Sequence, residues 1–301
     1  MKEKFYFWVN IAVELLLFPF WYFIAWLSNT ISSRNPLRVK KIRSQVEADE
    51  VLVVIHEWGG YSSVRKKKIK NGVPFSCGLA GQLERFILRN KDVKKKVYLT
   101  VSDLPLLKNQ AELEQKVDML LSVSNEGMDF SGYSAFYERI KDKPNAYVIL
   151  SNTSVNVIQT EFLADYIKYM ESNLDVGMLG VSYCSKTWQS LIRNNFNPHL
   201  QSFFLLTTVS VLNELVKANG NQFPGKGITY KRALIKKGEI AMSKIIQKLG
   251  YNLAVSLPDG TVFKFGKNNI FDNGYNRWKL NYSDLRLTTP NPNSISQIRK
   301  E

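Results

Sequence analysis

Histidine and cysteine are scarce in this sequence, and their scarcity restricts the chemistry that it supports. The chain of 301 residues has two histidines, His56 and His199, and two cysteines, Cys77 and Cys184. Two histidines cannot build a histidine-rich metal site, and His56 has no second histidine at the zinc-protease spacing. The cysteines stand far apart and in no metal-ligand spacing, which argues against a disulfide framework and favours a reducing compartment.

Acidic residues are also few relative to basic ones. The chain has 26 Asp and Glu against 41 Lys and Arg, a formal net charge of +15. A surplus of this size indicates an anionic partner, which is a nucleic acid, an anionic lipid or a phosphorylated substrate. The sequence has no helix-turn-helix signature, zinc knuckle or RNP-like aromatic pattern, so we expect no nucleic acid among its partners. The basic stretch 65–70 is a candidate site for a diphosphate lipid or anionic headgroups.

The N-terminal residues 5–27 are almost all apolar or aromatic. The run is long enough to span a bilayer, although Asn10, Glu14 and Pro19 interrupt it. Its aromatic density favours a position at the membrane interface. A secretory signal is a poor match, because no small-residue cleavage site is present and Glu3 dilutes the basic start. The alternative is a buried amphipathic helix of the globular domain.

Basic residues follow this run, namely Arg34, Arg38, Lys40, Lys41 and Arg43. Behind a spanning helix, they place the following domain in the cytoplasm by the positive-inside rule. Beside a helix that lies in the interface, they attract anionic lipid. Both arrangements predict the cytoplasmic face of the plasma membrane, with a membrane-attaching helix over residues 1–32 and a basic linker over residues 33–49.

The rest of the chain alternates short β-branched runs with helix-like stretches. The predicted strands are residues 51–55, 97–101, 119–123, 146–150, 176–181 and 203–208. The predicted helices are residues 81–89, 134–141, 162–172 and 209–218, and residues 61–75 are predicted as a basic loop. This alternation predicts an α/β domain over residues 50–266, with a mostly parallel central sheet covered by helices on both faces. A tail over residues 267–301 is predicted to pack loosely or dock on its surface.

Two segments that follow predicted strands carry the polar residues of a candidate site. Ligands of such sheets bind beyond the carboxyl ends of the strands. Residues 56–60 (His-Glu-Trp-Gly-Gly) would wall a nucleobase pocket or form a packed turn. In segment 125–133, Gly127 permits close approach of a phosphate or ribose, and Asp129 accepts hydrogen bonds from hydroxyls or caps the next helix. The N–H groups at that helix start favour an anion.

This second segment resembles glycosyltransferases of the GT-A fold. Enzymes of the family-2 type have an Asn-x-Gly segment before a helix, followed by a strand that ends in an Asp-x-Asp region. The closer likeness is to bacterial polysaccharide enzymes related to the rhamnan-synthesis F group, which carry the pattern Asn-x-Gly-x-Asp-Phe/Val-x-x-Tyr. The residues that match it are Asn125, Gly127, Asp129, Phe130 and Tyr133. The resemblance implies a Rossmann-like GT-A domain and a nucleotide-diphosphate sugar donor, with a UDP-sugar expected.

The resemblance covers roughly residues 50–265 and departs from the family at one place. The family-2 Asp-x-Asp binds a divalent metal that bridges the donor diphosphate, and here Asn152 and Ser154 stand in that place. Neither is a carboxylate, and hard cations prefer charged oxygen ligands. We therefore expect no metal residues, with lysine or arginine neutralising the diphosphate, although Mn²⁺ or Mg²⁺ remains a cofactor that the family implies.

Two later segments complete the expected site. Residues 199–202 resemble the His-x-x-Ser segment before a late strand in the same bacterial group, which implies that His199, Gln201 and Ser202 lie on the acceptor side. Glu239 stands at the start of an apparent helix, where GT-A enzymes often carry the base of inverting transfer. Its alternative role is to complement the helix dipole.

The resemblance therefore implies a donor site, an acceptor side and a catalytic base. The expected donor-binding residues are His56, Glu57, Asn125, Gly127, Asp129, Tyr133, Asn152 and Ser154. The expected function is transfer of a sugar to a surface polysaccharide such as a capsule or O-antigen, or to its lipid-linked precursor, at the cytoplasmic face of a bacterial plasma membrane. The alternative is a non-catalytic, membrane-tethered module that binds carbohydrate or nucleotide.

Overall fold

The structure is a computed structural model that describes residues 1–17, 19, 20, 23, 41–46, 50–68, 74–143, 145–184, 199–266 and 294–299. Several residues named above lie outside these ranges: Arg34, Arg38 and Lys40 of the basic segment, the predicted helix beyond residue 23, and most of the predicted tail. The predicted domain boundaries therefore stay predictions.

Within these ranges, strands and helices alternate along much of the chain. The strands are β1 (Glu50–Glu57), β2 (Arg65–Lys67), β3 (Phe75–Cys77), β4 (Lys94–Val101), β5 (Met119–Ser122), β6 (Tyr147–Asn152), β7 (Val176–Gly180), β8 (Tyr183–Cys184), β9 (His199–Leu200), β10 (Phe204–Thr208), β11 (Asn252–Ser256) and β12 (Val262–Phe265). The α-helices are α1 (Lys2–Leu16), α2 (Leu79–Leu83), α3 (Gln110–Lys116), α4 (Asp129–Ile140), α5 (Leu163–Ser172), α6 (Val209–Ala218), α7 (Lys231–Leu234) and α8 (Ile240–Lys248). A π-helical turn follows α2 (Glu84–Leu88), and another joins α7 to α8 (Ile235–Glu239).

Eight of the described strands form one mixed sheet in the order β12-β11-β7-β10-β6-β1-β4-β5. Strand β1 pairs in parallel with β4 and β6, β4 pairs in parallel with β5, and β7 pairs in parallel with β11. Strand β10 runs antiparallel between β6 and β7, and β12 is antiparallel at the edge. The prediction of an α/β domain with a mostly parallel sheet is therefore confirmed.

Each face of the sheet has its own hydrophobic core. In β1, Leu52 and Val54 face the cluster that contains α4, α6 and α8, whereas Val53 and Ile55 face the cluster that contains α2 and α5. All four side chains are almost completely buried. A central parallel strand is covered on both faces, which is why its sequence reads as a continuous apolar run. Each buried side chain of this size contributes about 1.5–3 kcal/mol as an upper estimate.

Three local predictions differ from the structure. Helix α4 begins at Asp129, earlier than the predicted residue 134, because the chain turns at Gly127, whose φ is 93°. The predicted loop 61–75 contains β2, which pairs antiparallel with β3. Glu239 does not start a helix; it ends the π-helical turn inside a segment that is helical from Lys231 onward. A glycine inside a helix is unfavourable, so Gly238 reads in sequence as a break.

Helix α1 packs on the domain with one side and exposes the other. Phe7 and Ile11 are buried and form a cluster with Ala233 of α7. Phe5 and Leu16 are exposed, at 66% and 82% of their surface. Among the described residues, no helix has both the length and the apolar character that crossing a bilayer requires.

Residues 294–299 are the described part of the predicted tail, and they dock on the domain. Ile295 is buried in the cluster of the α5 face. The Tyr166 hydroxyl donates to the carbonyl of Ser296 (2.8 Å), and the Arg299 N–H donates to the carbonyl of Gly260 (2.9 Å). This part of the chain therefore covers one face of the sheet rather than extending away from it.

Candidate functional site

The carboxyl edge of the sheet brings together residues that are distant in sequence. Asn152 ends β6 there, and β10, which runs in the opposite direction, begins at the same edge, with Phe204 paired to Ser151. The N–H of Asn152 donates to the carbonyl of Phe203 (3.2 Å). Ser202, which precedes this pairing, is therefore brought close to Asn152 by the antiparallel direction of β10.

Four of the predicted site residues form one hydrogen-bonded group at this edge. Asn152 donates from Nδ2 to Oδ2 of Asp129 (3.1 Å). Ser202 Oγ lies 2.9 Å from the same Asp129 oxygen and 3.2 Å from Oε2 of Glu239. The Ser202 N–H also donates to Oε2 of Glu239 (3.0 Å). We call Asp129, Asn152, Ser202 and Glu239 the carboxylate cluster.

The two carboxylates of this cluster compete for one hydroxyl proton. Ser202 has one proton on Oγ, so it donates to Asp129 or to Glu239, but not to both at once. Burial, and after it the negative charge of Glu239, raises the pKa of Asp129 to about 6, against hydrogen bonds from Ser202 and Asn152 that lower it. Two carboxyl groups in such proximity titrate as a coupled pair. The cluster is therefore able to accept and hold a proton near neutral pH.

Packing beside the cluster fixes the two carboxylates relative to each other. Phe130 is adjacent to Asp129, and its ring lies directly on Gly238, the neighbour of Glu239. A Cβ built on Gly238 would lie 2.9 Å from Cζ of Phe130, and one built on Gly225 would lie 2.8 Å from its Cγ. Only glycine allows this approach at either position, so both glycines hold α4 against the π-helical turn.

Other predicted residues lie around the cluster. His199 is buried in β9, with Nε2 3.4 Å from Oε1 of Glu239. The hydroxyl of Tyr133, fully buried in α4, donates to the backbone carbonyl of Ser202 (2.8 Å) and so positions that residue. Gln201 is engaged elsewhere: its Oε1 accepts a hydrogen bond from Ser182 Oγ (2.8 Å), in the segment between β7 and β8.

The loop before α4 contains two more of the predicted donor residues. Gly127 is buried, and a Cβ built on it would lie 2.9 Å from the carbonyl oxygen of Gly225. The carbonyl of Asn125 accepts from the N–H of Met128 (3.3 Å), and Asn125 itself is exposed to solvent. On the neighbouring strand end, the N–H of Ser154 donates to Oδ1 of Asn152 (2.9 Å).

His56, at the end of β1, occupies a packed position between the sheet and α4. Its Nδ1 lies 3.1 Å from Oγ1 of Thr100, and its Nε2 lies 3.3 Å from Oγ of Ser102. Burial lowers the pKa of His56 to about 4, so its ring is neutral at pH 7. A Cβ built on Gly132 would lie 2.3 Å from Nδ1 of His56, which shows how closely α4 approaches the strand.

Arg65, which the sequence analysis placed only in a basic stretch, reaches the same edge of the sheet. From β2 it donates from Nη2 to the carbonyl oxygen of Thr153 (3.3 Å), and Nη2 lies 3.2 Å from Oγ1 of the same residue. Its guanidinium lies 3.9 Å from the ring centroid of Tyr61. Its Nη1 lies 3.5 Å from Oε2 of Glu57. The only sequence signal for this residue was charge, because Thr153 is distant in sequence and only Tyr61 is a local neighbour.

A cavity of about 560 Å³ opens beside Glu57 and Tyr61. Leu83, Ile87 and Leu113 contribute apolar walls. Glu57 is almost completely buried, and its Oε1 accepts from the N–H groups of the two residues that follow it (2.8 and 3.3 Å). The cavity therefore has an apolar lining, one aromatic ring and a fixed carboxylate, which are the usual components of a small-molecule site.

The polar atoms at the position that the resemblance aligns with the Asp-x-Asp region form hydrogen bonds with one another. Oδ1 of Asn152 accepts from Ser154, and Oδ2 of Asp129 faces the donors of both Asn152 and Ser202. In the described ranges, no group of three or more His, Cys, Asp or Glu residues is placed to hold a metal ion. These residues do not fit a divalent cation held in the manner of the Asp-x-Asp region.

Comparisons with known proteins define no family for the chain. No family model matches it, and no curated protein matches it. Among solved structures, it is similar to the mannosyltransferase PcManGT from Pyrobaculum calidifontis in complex with GDP-Man and Mn2+, at 13% identity and a TM-score of 0.41, over 91% of this chain and 72% of that one. It is also similar to the bifunctional IspDF from Campylobacter jejuni, at 10% identity and a TM-score of 0.35, over 78% of this chain and 54% of that one. A likeness this low identifies no activity.

Proposed function

We propose that this chain is a GT-A-type glycosyltransferase that moves a sugar from a nucleotide-diphosphate donor, expected to be a UDP-sugar, to a hydroxyl group of a glycan acceptor. The observation that carries the proposal is the carboxylate cluster, in which Glu239 and Asp129 meet at Ser202 beside the end of β6. Ligands of mostly parallel α/β sheets bind at this edge. A carboxylate there is the group that an inverting transfer requires as its base.

In this proposal Glu239 is the base. The acceptor oxygen forms a bond to the anomeric carbon of the donor sugar while the bond from that carbon to the diphosphate breaks, and the hydroxyl proton passes to Glu239. The Ser202 N–H holds the carboxylate in place, and Nε2 of His199 lies 3.4 Å from its other oxygen. Asp129 and Asn152, which already form hydrogen bonds with each other, bind hydroxyl groups of the donor. Transfer by a positioned base of this kind contributes about 10²- to 10⁴-fold to the rate.

In this proposal the base of the donor nucleotide occupies the cavity that Glu57 and Tyr61 line. The cavity next to Glu57 and Tyr61 falls within the range of about 300–1,000 Å³ that is common for small-molecule sites. Its apolar walls and the Tyr61 ring suit a planar base. The exposed side chain of Asn125 lies in the loop that leads into Asp129 and is available to a ribose or phosphate, whereas the space at Gly127 is filled by the carbonyl of Gly225.

The proposal includes attachment to the cytoplasmic face of a bacterial plasma membrane, where a lipid-linked oligosaccharide or growing surface polysaccharide is the acceptor. The outward side of α1 supports it, because Phe5, Leu15 and Leu16 are exposed apolar residues on one short helix. Apolar and aromatic side chains on such a helix bury themselves at the boundary of headgroups and acyl chains. The net charge of +15 adds attraction to anionic lipid.

A non-catalytic binding module is the second candidate. The observation that favours it is that Asn152 and Ser154 replace the two carboxylates of the family and bond to each other. Such a module binds a nucleotide or a glycan through the same edge, but it releases no nucleoside diphosphate.

The test is a binding and turnover panel on the purified full chain. Thermal shifts are measured with UDP, GDP, dTDP, CMP and ADP, each with and without Mn²⁺, and diphosphate release is measured with the corresponding nucleotide sugars and a lipid-linked glycan mixture. A ligand at about 100 times its Kd stabilises the folded state by about 2.7 kcal/mol. A shift with one nucleotide, together with turnover, supports the transferase. A shift without turnover favours a nucleotide-binding module. If no nucleotide produces a shift, the transferase is contradicted and a glycan-binding module is the remaining candidate.

A further inference from the structure

Arg65 is held in place by contacts with three residues. Its guanidinium contacts the Tyr61 ring on one side and Thr153 on the other, and it faces Glu57 at 3.5 Å. Thr153 is the neighbour of Asn152, a member of the carboxylate cluster. Glu57 and Tyr61 line the cavity. Arg65 therefore lies between the proposed base pocket and the proposed sugar site.

Part of the hydrogen-bonding capacity of this guanidinium remains unused. Nη2 is bonded to Thr153, but Nη1 is buried and makes no hydrogen bond to the described residues. The facing oxygen, Oε2 of Glu57, is likewise buried and makes none, because the 3.5 Å ion pair lacks hydrogen-bond geometry. Glu57 is almost completely buried, so this arrangement lacks the stabilisation that water would provide. The Arg65 side chain as a whole is 19% exposed, so a phosphate oxygen reaches it from its exposed side and not through the buried Nη1.

The rest of the hairpin adds positive charge on the same side. In β2, Arg65 and Lys67 alternate with the exposed Lys66, so both lie on one face of the hairpin. The positive charges of Arg65 and Lys67 both oppose the rise that burial causes in the pKa of the Cys77 thiol, which places both near that residue of β3. The hairpin bonds to the segment that follows β6, because the carbonyl of Ser76 accepts from the N–H of Val157 (2.9 Å).

We propose that Arg65 binds and neutralises the diphosphate of the nucleotide-sugar donor, in the place of the metal ion of the Asp-x-Asp enzymes. A guanidinium binds two phosphate oxygens in parallel, and it is always charged. When the bond from the anomeric carbon to the diphosphate breaks, the diphosphate keeps the electron pair of that bond, and Arg65 faces the negative charge that it gains. This inference rests on the proposed function, because it names the group that binds the donor of that reaction.

The test compares Arg65→Gln with its neighbour Lys66→Gln, which removes an equal charge from the exposed side of the same strand. Calorimetry measures the affinity of each protein for uridine, UMP and UDP, or for the guanosine series where guanine is the preferred base, in buffer with EDTA. For Arg65→Gln, we expect diphosphate affinity to fall about 10- to 100-fold and nucleoside affinity to stay within about twofold. Lys66→Gln should bind each ligand within about twofold of the parent. Arg65→Lys keeps the charge but loses the two parallel N–H donors of the guanidinium. Its diphosphate affinity should therefore lie between those of Arg65→Gln and the parent.

The outcomes separate this inference from the function on which it rests. If the parent binds and turns over a nucleotide sugar while Arg65→Gln binds UDP as the parent does, Arg65 is not the diphosphate ligand and the transferase stands. If Arg65→Gln loses nucleoside and diphosphate equally, its role is structural, and the unliganded unfolding temperature of the variant will show it. If EDTA abolishes diphosphate binding and Mn²⁺ restores it, a metal holds the diphosphate and the inference is wrong. If the parent binds no nucleotide, both proposals fall.

Discussion

Asp129 and Glu239 approach the same hydroxyl group, with Oδ2 of Asp129 2.9 Å and Oε2 of Glu239 3.2 Å from Ser202 Oγ. Asp129 begins α4, whereas Glu239 ends the π-helical turn, so the two come from separate elements. The negative charge of Glu239 raises the pKa of Asp129, so the ionisation of one carboxyl group affects that of the other. Most of the predictions below follow from this pairing and from the contacts that maintain it.

Glu239→Gln should abolish most of the transfer and leave donor binding intact. The amide keeps the shape of the carboxylate but cannot accept the proton, so we expect kcat to fall about 10²- to 10⁴-fold. Release of the nucleoside diphosphate measures transfer, and the thermal shift that the nucleotide produces measures donor binding. Glu138→Gln, an exposed glutamate that pairs with Lys141 on α4, is the matched control. A Glu239→Gln variant with parental turnover would show that another group is the base.

Asp129→Asn should change how stability depends on pH. The pKa of Asp129 is about 6 in the folded protein against 3.8 as its usual value, so the folded state binds this proton more tightly than the unfolded chain. This contribution to stability is complete below about pH 4 and is lost as the pH rises through 6. Two pKa units correspond to about 2.7 kcal/mol, and partial solvation and coupling to Glu239 reduce the effect to on the order of 2 kcal/mol.

Urea unfolding of parent and Asp129→Asn at pH 4, 5, 6 and 7 measures this difference. The stability of the variant relative to that of the parent should increase as the pH rises from 4 to 7. His56 acts in the opposite direction, because its lowered pKa of about 4 means that its contribution is lost as the pH falls from 6.5, but both proteins share it and it cancels. Asp142→Asn, at an exposed position after α4, should follow the parent at every pH. Parallel curves for Asp129→Asn and the parent would contradict the raised pKa.

Gly238→Ala should lower stability by about 1–3 kcal/mol and reduce transfer, because its Cβ would lie 2.9 Å from Cζ of Phe130. The overlap pushes α4 and the π-helical turn apart, and with them Asp129 and Glu239. Phe130→Leu removes the ring atoms that are overlapped, so Gly238→Ala should cost less in that background. Urea unfolding of the four proteins gives the coupling energy, expected at about 0.5–3 kcal/mol. If the changes in unfolding free energy of the two single variants add up to that of the double variant, the two positions do not interact.

Replacing exposed apolar residues of α1 should weaken membrane attachment without altering the fold. Phe5→Ser and Leu16→Ser remove side chains that are exposed in the free protein. Burial of each in a bilayer interface contributes up to about 1.5–3 kcal/mol, so each change should weaken binding to phosphatidylglycerol vesicles by roughly tenfold or more. Ile158→Ser, an exposed apolar residue outside α1, is the control. If all variants sediment with vesicles to the same extent, or if the parent does not sediment with them, the proposed attachment is wrong.

Local patterns were sufficient to predict most of the sheet. Apolar runs predicted β1, β4, β5, β6, β7 and β10. The central strands of this set are buried on both faces, whereas β5 lies at the edge of the sheet and is only partly buried. Strands β11 and β12 were not predicted, and neither was the hairpin of β2 and β3, whose lysines read as a solvated loop. Strands β2 and β12 are short and partly exposed, so their sequence signal is weak, whereas β11 was missed although four of its five residues are buried.

Only part of the candidate site was accessible to the same reasoning. Asp129, Asn152, Ser202 and Glu239 were named from the resemblance, and the structure brings them into one hydrogen-bonded group. Gln201 instead bonds to Ser182. The helix start expected at Glu239 was wrong, because a glycine inside a π-helical turn has the same sequence appearance as a helix boundary.

The sequence by itself determined the class of fold, the positive charge and the chemical groups available, since each depends on composition or on spacing along the chain. The tertiary structure decided which groups meet. The reversed direction of β10 carries Ser202 to the end of β6, and the contact of Phe130 with Gly238 sets Asp129 beside Glu239. These arrangements depend on strand order and on packing between distant segments, and neither of these produces a periodic pattern in the sequence.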